Sequence, residues 1–296
     1  VLVFAISMTF LFFSSEGSLW KRATVYASTL LIGSGLVLTL ARSAWLGAVF
    51  SLFFILGCLV WTARYRGMDG KRLIVRLLAF VLILVLSIGI FQLLPGVSKG
   101  PSLLARISSI FHFNLTSADR LLIWEAALPM IKDYSISGTG PDGFGLVFTR
   151  YRPRLWSKLV SGPQTLPDKA HNDFLEMAAT AGLPALVFYL WVLILFFIAG
   201  LKKLKVLGWG KKNSAQVILV IGTLAAVTSG LVQLQFSFTE PSVTPFFWAF
   251  IGLGISSTCL FTRERPFQVS LSWLDKDKKT ALSILAGLFA LWLGYT

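Results

Sequence analysis

Apolar residues in this chain fall into long runs, separated by short polar connections and by one extended polar segment, residues 95–172. An α-helix needs roughly 20 apolar residues to cross a hydrocarbon core of ~30 Å. Stretches that approach this are 1–13, 24–40, 44–62, 73–94, 183–201, 215–235, 244–262 and 280–296. The pattern predicts an all-α fold, a polytopic transmembrane helical bundle with one large loop outside the membrane. Residues 1–94 hold the N-terminal spans, 95–182 the large loop and 183–296 the C-terminal spans. The first stretch is short and begins without Met, and the last stops without a polar flank, so the chain reads as a piece of something longer. No cleavable signal pattern is visible.

Orientation follows from Lys and Arg in the short connections. Lys21 and Arg22, then Arg64, Arg66, Lys71 and Arg72, then Lys202 to Lys212, then Arg263 to Lys279 mark one side as cytoplasmic. The alternate connections, at Arg42 and over 239–243, hold at most one basic residue each. Residues 95–172 then face the periplasm or the cell exterior, and Arg42, Arg120 and His171 share that side.

Composition strengthens the membrane reading: 55% of residues are hydrophobic and only 14% charged, with mean hydropathy +0.76. The net charge of +14 comes mostly from cytoplasmic loops and does not point to nucleic acid. The outer segment is also basic, with Arg150, Arg152 and Arg154 close together. Long loops translocate regardless of charge. Such a surface suits anionic headgroups or a phosphorylated substrate. Cys58 and Cys259 lie in apolar stretches and indicate no disulfide framework; His112 and His171 lack partners at ligand spacing, so no metal site is expected.

Within the outer segment a short apolar stretch, 103–113, precedes N-cap candidates at Ser117 and Asp119. A helix over 120–132 is predicted, with Leu121, Leu122, Trp124, Ala127, Leu128 and Ile131 at helical spacing, amphipathic and suited to a membrane surface. Gly138-Thr-Gly-Pro-Asp-Gly143 spells a dinucleotide-binding string without a βαβ context, and reads better as a turn or as a nest of N–H groups for an anion. The run His171-Asn172-Asp173-Phe174-Leu175-Glu176 is the most informative. Asp173 and Glu176 stand in capping-box spacing, so a helix starts there and, after a break at Gly182-Leu-Pro184, continues into the next span. His171 then precedes a helix N-terminus, where the dipole favours a neutral imidazole able to accept a proton. His112, in an apolar stretch, reads as a packed residue.

Taken together, Lys169-Ala-His171-Asn172-Asp173-Phe-Leu-Glu176, Ala181-Gly182-Leu-Pro184, Arg120-Leu-Leu-Ile-Trp124-Glu-Ala, Gly138-Thr-Gly140 and Ala41-Arg42-Ser43-Ala44 resemble the O-antigen ligase and polymerase superfamily. The resemblance covers roughly residues 24–261, with fewer N-terminal spans than the family usually has. It implies a bacterial inner-membrane glycosyltransferase that moves a glycan from undecaprenyl diphosphate to an acceptor hydroxyl on lipid A core, on a growing polysaccharide or, in some relatives, on a protein. His171 matches the histidine proposed to activate the acceptor, and Arg42 and Arg120 match arginines proposed to hold the diphosphate. Asp168, Lys169, Asn172, Glu176, Arg150 and Arg152 are candidate supporting residues, with Glu176 read first as a cap. Diphosphate is a good leaving group, so neither metal nor other cofactor is expected, and direct displacement implies inversion at the anomeric carbon. The competing class is a transporter or flippase for a lipid-linked glycan. Such proteins usually place ionisable residues near the bilayer midplane, and the predicted spans hold none there.

Overall fold

The computed structural model describes residues 19–39, 41–66, 115–156, 166–207, 214–238 and 243–259, with isolated positions 1, 5, 75, 78, 79, 82, 83, 86 and 89. Among these the regular structure is all helix, with no strand. The helices are α1 (Leu19–Leu38), α2 (Arg42–Arg66), α3 (Leu115–Asp133), α4 (Gly143–Tyr151), α5 (Asp173–Thr180), α6 (Leu183–Leu207), α7 (Ser214–Leu234) and α8 (Thr244–Cys259). Five of the expected apolar spans appear as α1, α2, α6, α7 and α8. Those over 1–13 and 73–94 fall on residues described only at isolated positions, and the span 280–296, the stretch 103–113 and His112 lie outside the described residues. Val1–Thr258 form one compact unit, and of the second, Cys259–Thr296, only the last residue of α8 is described.

By length and composition, α6 and the Ala215–Leu234 part of α7 can cross a membrane, with mean hydropathies of 2.5 and 2.1. Ala23–Leu38 and Arg42–Cys58 are shorter apolar helical stretches. The outward side of α6 is itself apolar, with Val187, Trp191, Ile194, Leu195 and Ile198 exposed. A helix can leave such a side uncovered without penalty only in an apolar surrounding.

The largest helix contact is α2 along α7. Ala44, Gly47, Ala48 and Ser51 form a small-residue stripe on the buried side of α2, continued by Ile55 and Cys58. In lipid, where hydrophobic collapse does not drive helices together, small residues permit the close backbone approach that dispersion requires. Gly47 marks the closest point: a Cβ there would collide with the carbonyl oxygen of Ser229 on α7. The buried hydroxyls of Ser51 and Thr223 are satisfied within their own helices, Ser51 donating to the Ala48 carbonyl (2.8 Å) and Thr223 to the Leu219 carbonyl (2.9 Å). Gln216 of α7 donates to the Ser257 carbonyl of α8 (2.7 Å), and Tyr189 of α6 meets Trp248 of α8 edge to face with centroids 6.0 Å apart. Together α2, α6, α7 and α8 share one apolar core.

A second, smaller core is built by α3, α4 and α5. Leu122, Ile123, Ala126, Ala127 and Met130 of α3 pack with Phe144, Phe148, Trp156, Ala170 and Ala179. Helix α3 begins at Leu115, five residues before the expected start, and its inward face is rotated from the expected one: Leu121 and Leu128 are exposed while Ile123 and Met130 are buried. The face that sequence assigned to a membrane surface therefore packs largely on protein. Helix α4 was not anticipated, because the glycines around it read as loop. Its Phe144, Phe148 and Tyr151 lie at helical spacing, and Tyr151 donates to Asp133 of α3 (2.6 Å).

The two cores meet at the joint between α5 and α6. Thr139 and Gly140 donate their N–H groups to the Ala179 and Thr180 carbonyls (2.8 and 2.9 Å), and Leu183 donates to the Ser135 carbonyl (2.8 Å). Gly182 turns the chain with φ +88°, and a Cβ there would strike the Ile136 carbonyl. The Gly138 amide bonds the Tyr134 carbonyl and the Gly143 amide that of Gly140. The glycine string is thus a turn docked on a helix end. The amides of residues 138, 139, 140 and 143 are committed to carbonyls, which favours the turn over an anion-binding nest.

Gly47→Leu should lower the thermal unfolding midpoint in detergent, with a loss of about 1–3 kcal/mol typical of overpacking. Gly57→Ala, on the same helix where a Cβ meets nothing within 4 Å, should be neutral. Equal midpoints for the two variants would contradict the close approach of α2 to α7.

Candidate active site

His171 occupies the segment that enters α5, and its backbone has φ +52°, a left-handed conformation unusual for a side chain with a Cβ. Such strain costs on the order of 1–3 kcal/mol and persists only where neighbours enforce it. Both neighbours are held. Ala170 is fully buried; its N–H donates to Glu176 Oε2 (2.6 Å) and its carbonyl accepts from Trp124 Nε1 of α3 (3.0 Å). On the other side, Asn172 Oδ1 accepts from the Phe174 and Leu175 amides (3.1 Å each), and its Nδ2 donates to the backbone carbonyl and Oε1 of Gln235 (3.2 and 3.3 Å). Asn172 is therefore the N-cap of α5, correcting the expectation that Asp173 caps it. The buried Asp173 carboxylate instead takes a hydrogen bond from the Tyr189 hydroxyl of α6. Glu176, one position later than a capping box requires, reaches back past the cap to Ala170.

The imidazole meets Phe238, just beyond α7, edge to face at 5.2 Å. Its pKa lies below the ordinary value, first because of partial burial and then because of the Arg120 charge; Asp168 acts in the opposite sense. The neutral form is thus favoured, as expected, though burial and a guanidinium contribute alongside any helix dipole. Arg120, half-buried on α3, is itself lowered by burial and by the charge of Arg42. Arg42 is the first residue of α2, exposed at the hairpin where Trp45 Nε1 closes onto the Leu36 carbonyl of α1 (3.1 Å). Arg120 is therefore linked by charge both to Arg42 and to His171, residues far apart in sequence and on different elements.

The supporting candidates divide. Asp168 acts on His171 and Lys169 pairs with Asp142 (2.9 Å), which raises the Lys169 pKa, while Asp142, itself left-handed at φ +52°, stands at the start of α4. The pair is exposed on its acid side and contributes little stability. The Glu176 carboxyl is pushed up to about 7, chiefly by burial. Arg150 and Arg152 are exposed at the far end of α4, where Arg150 lies against the Tyr151 ring at 5.7 Å. The charged groups that act on the His171 imidazole are Arg120 and Asp168. Sequence reasoning missed Gln235 and Phe238. The glutamine was visible as a polar residue ending an apolar run, whereas nothing marked Phe238 among so many phenylalanines. Trp124 was part of a recognised motif, but its partner could not be read from it.

Among the described residues the chain is all helix, two of its helices are long and apolar enough to cross a membrane, and the charge of Arg120 links His171 to Arg42, features that suit a membrane protein with a polar site. The O-antigen ligase family model matches residues 27–190, more than half of the 296-residue chain, and the chain belongs to that family. No curated protein matches it. Family membership makes it a membrane-associated glycosyl-transfer enzyme of glycan biosynthesis, using a lipid-linked glycan and an acceptor. The matched region contains Arg42, Arg120, Trp124, His171 and Glu176; Gln235 and Phe238 lie beyond it.

Diethyl pyrocarbonate modifies neutral imidazole, so the pH dependence of His171 modification, resolved from His112 by peptide mass, reports its ionisation. The half-point should fall below the ordinary value of about 6.5. Removing the guanidinium with Arg120→Gln removes a cation that opposes protonation, so the half-point should rise. A half-point unmoved by this substitution would show that the two groups are not coupled.

Proposed function

We propose that this protein transfers a glycan from undecaprenyl diphosphate to an acceptor hydroxyl, with His171 as general base and Arg42 and Arg120 as the diphosphate clamp. The observation that carries the reading is that Arg120 lies within electrostatic reach of both Arg42 and His171. Two guanidiniums held near each other repel, and Arg42 sits at a helix start, where the dipole already disfavours a cation. A diphosphate would relieve both costs at once, because guanidinium forms bidentate, charge-assisted hydrogen bonds to phosphate oxygens and stays charged throughout. A helix N-terminus favours the same anion.

The chemistry then divides cleanly. The lowered His171 pKa keeps its nitrogen free to take the acceptor proton as the hydroxyl attacks the anomeric carbon. The bond from that carbon to the phosphate oxygen breaks, and the negative charge gathering on the diphosphate is stabilised by Arg42 and Arg120. The guanidiniums supply the positive charge that a metal provides elsewhere, so the reaction needs none. One displacement inverts the anomeric configuration. The acceptor is a sugar hydroxyl on lipid A core or on a growing polysaccharide, with a protein hydroxyl as the alternative. We place α1, α2, α6, α7 and α8 across the bacterial inner membrane as part of a polytopic bundle. Residues 95–182 then lie on the periplasmic or extracellular side, in keeping with the basic residues of the short loops opposite. Arg150 and Arg152, exposed and not among the charges that act on the imidazole, are better suited to lipid headgroups or anionic glycan than to the reacting atoms.

In proteoliposomes supplied with an undecaprenyl-diphosphate-linked oligosaccharide, His171→Ala should reduce transfer by about 10²–10⁴-fold, the range for loss of a general base. Arg42→Gln and Arg120→Gln should each weaken donor use by about 1.5–3 kcal/mol, the worth of a charge-assisted hydrogen bond, with Lys restoring only part. Wild-type turnover in His171→Ala would remove the base assignment.

A further inference from the structure

Ala170 contributes no functional side chain, yet its peptide is held from two directions. Glu176, in the first turn of α5, accepts its N–H, and Trp124 of α3 donates to its carbonyl. The residue is fully buried, so neither bond has water as a substitute. Trp124 lies four positions after Arg120, which puts both side chains on one face of α3 about one helical turn apart. The helix that presents the guanidinium thus also grips the backbone atom adjoining the histidine.

We propose that Trp124 and Glu176 are positioning residues for the glycosyl transfer: by clasping the Ala170 peptide they hold His171 in its left-handed conformation facing Arg120, and so govern the chemical step rather than donor binding. The proposal rests on the reading of His171 as the base. Without the Trp124 N–H the carbonyl of Ala170 loses its only link to α3 among the hydrogen bonds described here. Without Glu176 the Ala170 N–H is left buried and unpaired. In either case the positive φ at His171 is no longer enforced from its N-terminal side, and the segment can relax away from α3. The charged groups acting on the imidazole are Arg120 from α3 and Asp168 from its own segment, while the end of α7 offers the uncharged Phe238 and, through Asn172, Gln235. Release from α3 therefore reduces the burial and removes the Arg120 charge that together lower its pKa, and leaves Asp168, which raises it.

The full chain in liposomes tests this with Trp124→Phe, which keeps a ring and loses the N–H, and with Glu176→Ala against Glu176→Gln, which keeps an acceptor. With an undecaprenyl-diphosphate-linked oligosaccharide, Trp124→Phe and Glu176→Ala should lower kcat by about tenfold to a hundredfold, the scale of a misplaced catalytic group, with little change in donor KM. Glu176→Gln should recover most of the loss. In parallel, the half-point for diethyl pyrocarbonate modification of His171 should move up towards the ordinary imidazole value in Trp124→Phe and Glu176→Ala only. A general loss of stability lowers the unfolding midpoint without moving that half-point. If Trp124→Phe does not fold, 3-benzothienylalanine at position 124, with sulfur replacing the N–H in a ring of the same shape, decides the matter. Folded variants with unmoved half-points and wild-type kcat would overturn the proposal. If His171→Ala retained full transfer, the base reading would fall, yet the half-points would still report whether the clasp sets the imidazole.

Discussion

At His171 the backbone adopts a conformation that an L-residue avoids when left to itself, and the chain on either side removes its freedom to leave. The N-terminal neighbour is bonded to α3 and α5, the C-terminal neighbour to α5 and to the end of α7. Strain of this kind is common at sites where a side chain must be aimed rather than packed. The rest of the described structure can be understood as what keeps those three elements in register.

The small-residue stripe on α2 belongs to this scheme as much as the polar contacts do. By allowing α2 to lie close along α7, it fixes the height of Arg42, the first residue of α2, against Gln235 and Phe238, which follow the end of α7. The second core does the corresponding work for Arg120. Its Leu122, Ile123, Ala126 and Met130 anchor α3 on α4 and α5, leaving Arg120 and Trp124 half-buried. Apolar packing of two different kinds thereby determines the spacing of cations that would repel one another if free.

Much of this was legible from residue order. Runs of apolar residues located five helices, and the resemblance carried by His171, Arg120 and Arg42 singled out side chains that the charge of Arg120 links in the structure. Other features depended on competition that a linear pattern does not show. Asn172 and Asp173 are both good caps, and the choice went to the residue whose amide could also reach Gln235, while Asp173 found a partner in Tyr189. The glycines from 138 to 145 hid α4, because Gly serves equally in a turn and at a helix start, and only the burial of Phe144 and Phe148 distinguishes them. The inward face of α3 was misjudged for a related reason. Leucine is as acceptable outside a small core as within it, so Leu121 and Leu128 carried no directional information.

The joint between α5 and α6 has a further implication. Helix ends ordinarily expose carbonyl and amide groups that demand water, which confines breaks in a helix to wet surroundings. Here the closing carbonyls of α5 are taken by Thr139 and Gly140, and the opening amide of α6 by Ser135. These groups make no demand on solvent, so the bend can be immersed to whatever depth the flanking apolar surface prefers. On the function proposed above, a transferase built on this hinge keeps its histidine level with the phosphates of a lipid carrier while the carrier's tail stays in the oil.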